Sequence, residues 1–251
     1  MAPPARLYSW GARALFLGEA LGLSAHRNAV GVLALGLEGA FDVALDPADP
    51  AAGQRRCRAA LIPPNTLHHL TSTHGLMAFL YVDARSPDLA RLQGLVREPG
   101  PRAGFDLAGE AELIASLARL ARGAASWSET RPCLDALLCG EASPRDPRIK
   151  QALDLLHADP AARPSLAALA AGAGLSTSRF IHLFKTATGV PLRRYKLWIA
   201  MGAAMRAIVA GETLTNAALD AGFASSAHFS ASFREMFGME PSRLSGGRLA
   251  A

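Results

Sequence analysis

Between His26 and Asp83 the chain runs in short apolar stretches, VGVLALGL at 30–37, AFDVAL at 40–45, CRAALI at 57–62 and LMAFLYV at 76–82, cut by DPADPAAGQ, PPNT and THG. Apolar runs this short between Pro, Gly and Asp clusters predict strands, and several in succession predict a β-sandwich or barrel. After Pro87 the period changes. Leu113, Ile114, Leu117 and Leu120 recur at helical spacing, and Leu134, Leu137 and Leu138 do so again after Pro132. Both stretches predict helices lying on the barrel or on a partner subunit.

ASPRDPR at 142–148 packs two prolines and three charges into seven residues, which marks a linker. The boundary it sets divides the chain into residues 1–142 and 143–251. Everything after it is helical in pattern. Ser165 before LAALAA and Ser176 before TSRFIHLFK are placed as N-caps, Pro191 suits the first turn of a helix running to about Ala210, and Gly211 ends that helix. The fold class predicted is α+β in two domains: a β-barrel or sandwich with flanking helices, then an all-α domain.

The helical part says one thing twice. Ala170 is followed by Gly174 and then by Phe180, Phe184 and Gly189; Ala218 is followed by Gly222 and then by Phe229, Phe233 and Gly238. Small residues where two helices cross, a glycine in the turn and a phenylalanine pair on the second helix are what a helix-turn-helix needs to pack. The second copy sets its first phenylalanine one residue further from the glycine, so its turn is predicted to be one residue longer. A helix over 192–210 would be roughly 28 Å long at 1.5 Å per residue. Held that far apart, two reading helices could enter successive major-groove turns, which lie about 34 Å apart on one face of B-DNA.

Charge supports the same reading. Residues 1–147 carry 14 Lys/Arg against 15 Asp/Glu, whereas 148–251 carry 12 against 6, so the whole excess of positive charge lies in the helical part. A basic compact segment beside a neutral one points to a polyanion, at this size more often nucleic acid than an acidic protein. Glu19 interrupts the apolar stretch at 14–25 and no apolar run reaches 18 residues, so neither a signal peptide nor a membrane partner is expected. Three cysteines without a CxxC spacing suit a reducing cytoplasm; Cys133 and Cys139, six apart, fall on different helix faces and read as buried small hydrophobes.

LSTSRFIHLFKTATGVPLRRY and ALDAGFASSAHFSASFREMFGMEPSRL together resemble the DNA-binding domain of the AraC/XylS family of bacterial transcription regulators over roughly 148–245. Gly222–Phe223, the HFSxxFR-like run and the G-x-x-P of Gly238 to Pro241 carry most of the likeness. Where the family usually has an arginine about five residues after the tyrosine matching Tyr195, this chain has Leu197-Trp198-Ile199-Ala200. The resemblance implies a sequence-specific regulator that binds double-stranded promoter DNA, dimerises through its N-terminal part and has RNA polymerase as a candidate further partner. No cofactor is implied.

With the phenylalanines and Leu183 inward, the outward residues are Thr177, Ser178, Ile181, His182 and Lys185 on the first reading helix, and Ser226, Ala227, His228, Ser230, Ala231 and Arg234 on the second. By resemblance, Ser178, Ile181 and His182 meet base edges in one groove, and Ala227, His228, Ser230 and Ala231 in the next. Ser and His can hydrogen-bond base edges, while Ile and Ala meet thymine methyls. Lys185, Arg193, Arg194, Lys196 and Arg234 are expected on phosphates.

The run from HRNAVGVLALGLEGAF to ALIPPNTLHHL is similar to the cupin-like effector domain of many members of that family. His26-Arg27-Asn28, then Glu38, then His68-His69 lacks one histidine of the usual metal set, so no metal site is expected. His26, Asn28, Glu38 and His68 are instead expected to line a barrel mouth that receives a small-molecule effector. The leucine stripe at 113–120, with Arg119 and Arg122 beside it, reads either as packing on the barrel or as a dimer seam. The other function class is a metal-dependent cupin enzyme carrying a helical appendage, although no catalytic dyad or triad can be assembled from the residues.

Overall fold

The computed structural model describes residues 5–19, 22–46, 53–73, 75–84, 86–138, 146–159, 162, 164–244 and 248–250. The chain divides into two units, one made of residues 1–141 and 234–251 and the other of residues 142–233.

The first unit is α+β. Its larger sheet places β4 (Gly31–Gly36) antiparallel between β7 (Ala59–Ile62) and β9 (Leu76–Val82); β9 is flanked in turn by β2 (Arg13–Glu19) and β1 (Arg6–Trp10). On the other side β7 is followed by β11 (Gly104–Leu107) and β10 (Val96–Glu98), and a short β12 (Arg248–Ala250) joins β1 in parallel. The smaller sheet has the order β3 (His26–Arg27), β8 (Leu67–Thr71), β5 (Phe41–Ala44), β6 (Arg55–Cys57). The predicted strand runs at 30–37, 40–45, 57–62 and 76–82 therefore contain β4, β5, β7 and β9. The β1–β2 hairpin lay unread, because ALFLGEALGLSA shows no alternation; it turns at Gly11, whose φ of 56° suits glycine.

β9 is buried along its whole length. Period-2 alternation sends Leu76, Ala78, Leu80 and Val82 into one core with Leu113, Leu117 and Leu134 of the helices, and Met77, Phe79 and Tyr81 to the opposite face. The helices are α1 (Asp88–Leu95), α2 (Glu110–Ala121) and α3 (Trp127–Leu138). The α2 leucine stripe is thus core packing: Leu113, Leu117 and Leu120 are at most 3 % exposed. Full burial of each such side chain favours the fold by roughly 1.5–3 kcal/mol. α3 contains the predicted leucines and starts five residues before Pro132, which lies inside it. Its buried positions are Thr130, Leu134 and Leu138, so Cys133, expected inside, falls off the stripe and is exposed. Cys139 lies outside the described residues. Burial pushes the Cys57 thiol up to about 12.

A charged network fixes two of these helices to the hairpin. Arg13 holds the fully buried Asp88 of α1 through Nε and Nη2 at 2.8 and 3.0 Å, and Asp135 of α3 through Nη1 at 2.9 Å. Trp10 Nε1 also donates to Asp135, and Ser86 Oγ donates to Asp88.

The second unit is helical: α4 (Pro147–Ala158), α5 (Leu166–Gly172), α6 (Thr177–Thr188), α7 (Leu192–Val209), α8 (Leu214–Asp220) and the first two-thirds of α9 (Ser226–Phe237), whose last turn counts with the first unit. The end of the expected linker, Asp146 to Arg148, already starts α4, with the Asp146 side chain accepting from Arg148 N. Residues 142–145 lie outside the described residues. α4 packs on α5, α6 and α7. Tyr195 of α7 is fully buried, meets Phe184 edge-on at 5.5 Å and shares a 2.9 Å hydrogen bond with His157 of α4. At 18 residues α7 is about 27 Å long. No helix among the described residues is long and apolar enough to cross a membrane.

Candidate nucleic-acid interface

Each copy of the repeat closes its first helix in the same way. Leu175 N–H donates to Ala170 O and Gly174 N–H to Ala171 O; in the second copy Phe223 N–H donates to Ala218 O and Gly222 N–H to Leu219 O. This is the Schellman pattern, which needs a left-handed residue, and Gly174 and Gly222 supply it at φ 64° and 80°. The sequence spacing Ala-x-x-x-Gly is therefore a hydrogen-bond requirement as well as a packing one. Ser176 then caps α6 by accepting from Arg179 N, and Ser225 caps α9 by accepting from His228 N.

Between helices the first copy has residues 173–176 and the second 221–225, so the second turn is one residue longer, as the spacing predicts. The extra N–H belongs to Ala224, and it donates to Nδ1 of His228 at 3.2 Å. An acceptor at Nδ1 fixes the neutral ring's proton on Nε2, so the outward edge of His228 is a hydrogen-bond donor. The ring also stands edge-on to Phe223 at 5.4 Å.

The inward faces are phenylalanine. Phe180 and Phe184 pair at 5.9 Å between ring centroids and Phe229 and Phe233 at the same separation, all fully or almost fully buried. What remains outward on α6 is Thr177, Ser178, Ile181, His182 and Lys185, all exposed; Ile181, at 43 %, is one of few large apolar side chains left in water. On α9, Ala227, His228, Ala231 and Arg234 are exposed, and Ser226 and Ser230 are half-buried. Arg179, exposed on α6, was absent from the sequence reading; its place in the first copy is that of His228 in the second, and that correspondence was the available signal.

The basic residues divide. Arg193 is exposed and Arg194 half-buried at the start of α7. Lys196, expected on phosphate, instead donates Nζ to the carbonyl of Pro164. Arg234 forms an ion pair with Glu240 at 2.7 Å, so a phosphate would have to displace that carboxylate.

In the first unit, His26 and His68 are cross-strand neighbours on β3 and β8 with ring centroids 4.3 Å apart, and Asn28 follows on the same stretch; all three are buried. Glu38 stands apart, partly exposed and ion-paired with Arg122 at 3.2 Å. His69, adjacent to His68, sits against the Leu23 carbonyl. Among the described residues no group of three or more His, Cys, Asp or Glu side chains is placed to hold a metal ion.

Two phenylalanine-cored helix-turn-helix units on one helical body define a DNA-binding protein. Residues 169–246 match the family described as a helix-turn-helix domain. Among solved structures the whole chain resembles ToxT from Vibrio cholerae, at 12 % identity and a TM-score of 0.58, covering 94 % of this chain and 99 % of that one. It resembles unsaturated fatty acid-bound ToxT at 12 % identity and 0.59, covering 93 % and 94 %, and ToxT bound to (E)-4-(8-methylnaphthalen-1-yl)but-3-enoic acid at 14 % and 0.53, covering 96 % and 97 %. No curated protein matches the chain. The family match places a helix-turn-helix domain in residues 169–246, and the likeness to the solved structures shows a shared fold over the chain.

Proposed function

We propose that this chain is a cytoplasmic, homodimeric, sequence-specific regulator that reads promoter DNA through α6 and α9 and answers to a small-molecule effector held in its first unit. The observation that carries the DNA reading is the repeated outward face, Ser178, Ile181 and His182 on α6 and Ala227, His228, the half-buried Ser230 and Ala231 on α9, each set on a Schellman-closed turn. Arg179, by its match to His228, joins the base-reading set; an arginine there can pair bidentately with guanine. Thr177, Ser226, Lys185, Arg193, Arg194 and Arg234 serve the phosphates, giving affinity and salt dependence rather than sequence choice. Function rests on binding, with no catalytic step, and RNA polymerase is the partner a promoter-bound dimer would meet.

For the effector, His26, Asn28 and His68 are the residues that the fold brings together, and Glu38 drops out of the set. Both ligands named for ToxT are carboxylic acids. Asn28 Nδ2 and the Ser24 N–H and Oγ–H already hold carbonyl oxygens of residues 236 and 238, the kind of oxygen that a carboxylate or amide presents.

Footprinting of the full chain on its own upstream DNA tests the reading. Protection of two successive major-groove turns on one face per subunit is expected. His182→Ala should change the preferred sequence at one of the two sites. Arg193→Ala should weaken all sequences alike and flatten the salt dependence by roughly one phosphate's worth, a change of about 0.9 in the log–log slope. A single protected turn, or the same behaviour from both variants, would contradict it.

A further inference from the structure

The last turn of α9 and the residues after it are held, inside the first unit, by a small set of polar groups, of which Asn28 is buried and Ser24 exposed. Asn28 Nδ2 donates to Met236 O at 2.8 Å, and Ser24 donates to Gly238 O from its N–H at 2.8 Å and its Oγ at 3.3 Å. The Phe237 ring stands edge-on to Tyr81 at 5.5 Å. Gly238 lies so close to the cluster that an added Cβ would fall 2.5 Å from His26 Nδ1 and 2.6 Å from Ser24 O. Only hydrogen fits there.

Behind this contact lie the two imidazoles, His26 at 5 % and His68 at 1 % exposed. Each Nδ1 is within hydrogen-bond distance of the carbonyl two residues earlier, Ser24 O at 2.8 Å and Thr66 O at 2.9 Å, so each ring carries its proton on Nδ1 and turns a bare lone pair outward at Nε2. His68 Nε2 and Asn28 Oδ1 meet no hydrogen-bond partner among the described residues. A second proton on either ring would be a buried charge without a counter-ion among the described residues. The charged groups that act on the pair, His69 on β8 and Arg27 on β3, have the sign that opposes protonation. On the held segment Arg234, Glu235 and Glu240 are exposed, and Arg234 and Glu240 are paired with each other. From β9 the facing group is the Tyr81 phenol, which burial keeps neutral.

We propose that Ser24, His26, Asn28 and His68 form an acid-released clasp, which holds residues 236–239 while both imidazoles are neutral and lets them go when the imidazoles take up protons. The clasp needs no ligand, so it stands or falls apart from the effector reading. Burial, the largest cause, brings His26 down to about 3 and His68 to about 4 from the ordinary 6.5. Because the held-state values are depressed, protons bind the released form preferentially: the clasp is at full strength above pH 6.5 and weakens as pH falls towards 4. At about pH 5 each imidazole favours release by about thirtyfold, and the two together by up to about a thousandfold.

Ring-proton NMR of the full chain across about pH 4.5 to 8 tests this directly. His26 and His68 should stay neutral until well below the ordinary 6.5. Gly238→Ala, which crowds His26 directly, should bring the His26 value back towards 6.5. Gly109→Ala, at a similar φ but with open space around its Cβ, should leave it depressed. Ordinary titration of His26 and His68 in the unaltered chain, or a His26 value still depressed in Gly238→Ala, would overturn the proposal. Should Gly238→Ala fail to fold, amide exchange of Ser24 in the unaltered chain decides: its protection should fall steeply between about pH 7.5 and 5, and unchanged protection would sink the clasp.

Discussion

His228 serves backbone and solvent at once. Its Nδ1 accepts the N–H of Ala224, the residue by which the second turn exceeds the first, and its Nε2–H is left facing outward. His182, at an exposed place on α6, has no hydrogen-bond partner among the described residues. The two histidines should therefore differ under the same change. His228→Ala should alter sequence preference and lower stability by up to about 1 kcal/mol, since water can replace the lost acceptor for an exposed N–H. His182→Ala should alter preference with the melting temperature unmoved; competitive gel shifts beside thermal melts would show the contrast. The sequence could place both on a reading face because the phenylalanine phase is the same in each copy. It could not show that His228 compensates for an inserted residue, since that depends on where one backbone N–H points.

The β1–β2 hairpin, α1 and α3 are joined by Arg13, Asp88 and Asp135. Asp88 is fully buried, so removing its carboxylate leaves Arg13 partly uncompensated and Ser86 without its acceptor. Asp88→Ala should cost about 3–5 kcal/mol in urea denaturation of the full chain. In the second unit Tyr195→Phe removes only the hydroxyl shared with His157, and should cost about 1 kcal/mol while the ring still packs on Phe184. Elements with an internal period were legible: the α2 leucines and the four longer strand runs announce themselves. Those whose stability comes from distant partners were not. Arg13 and Asp88 are 75 residues apart and carry no local pattern that joins them. The part of α3 before Pro132 carries no apolar period of its own, and the helix tolerates the proline because Leu134 and Leu138 pack fully.

At the scale of the molecule, residues 234–251 belong with residues 1–141 rather than with the helices that precede them. A linear reading, which divided the chain once, had no means of seeing this, because the segment's affinity for Ser24 and Asn28 lies in backbone carbonyls that every sequence possesses. For the same reason the full chain is the right material for the oligomeric state: sedimentation equilibrium at micromolar concentration should show a dimer, and a monomer there would remove the dimeric part of the proposal. During synthesis the consequence is one of order. The strands that form the first unit leave the ribosome early, but Ser24 and Asn28 receive their acceptors only after both reading helices have been made, so the amino-terminal unit is the first begun and the last completed.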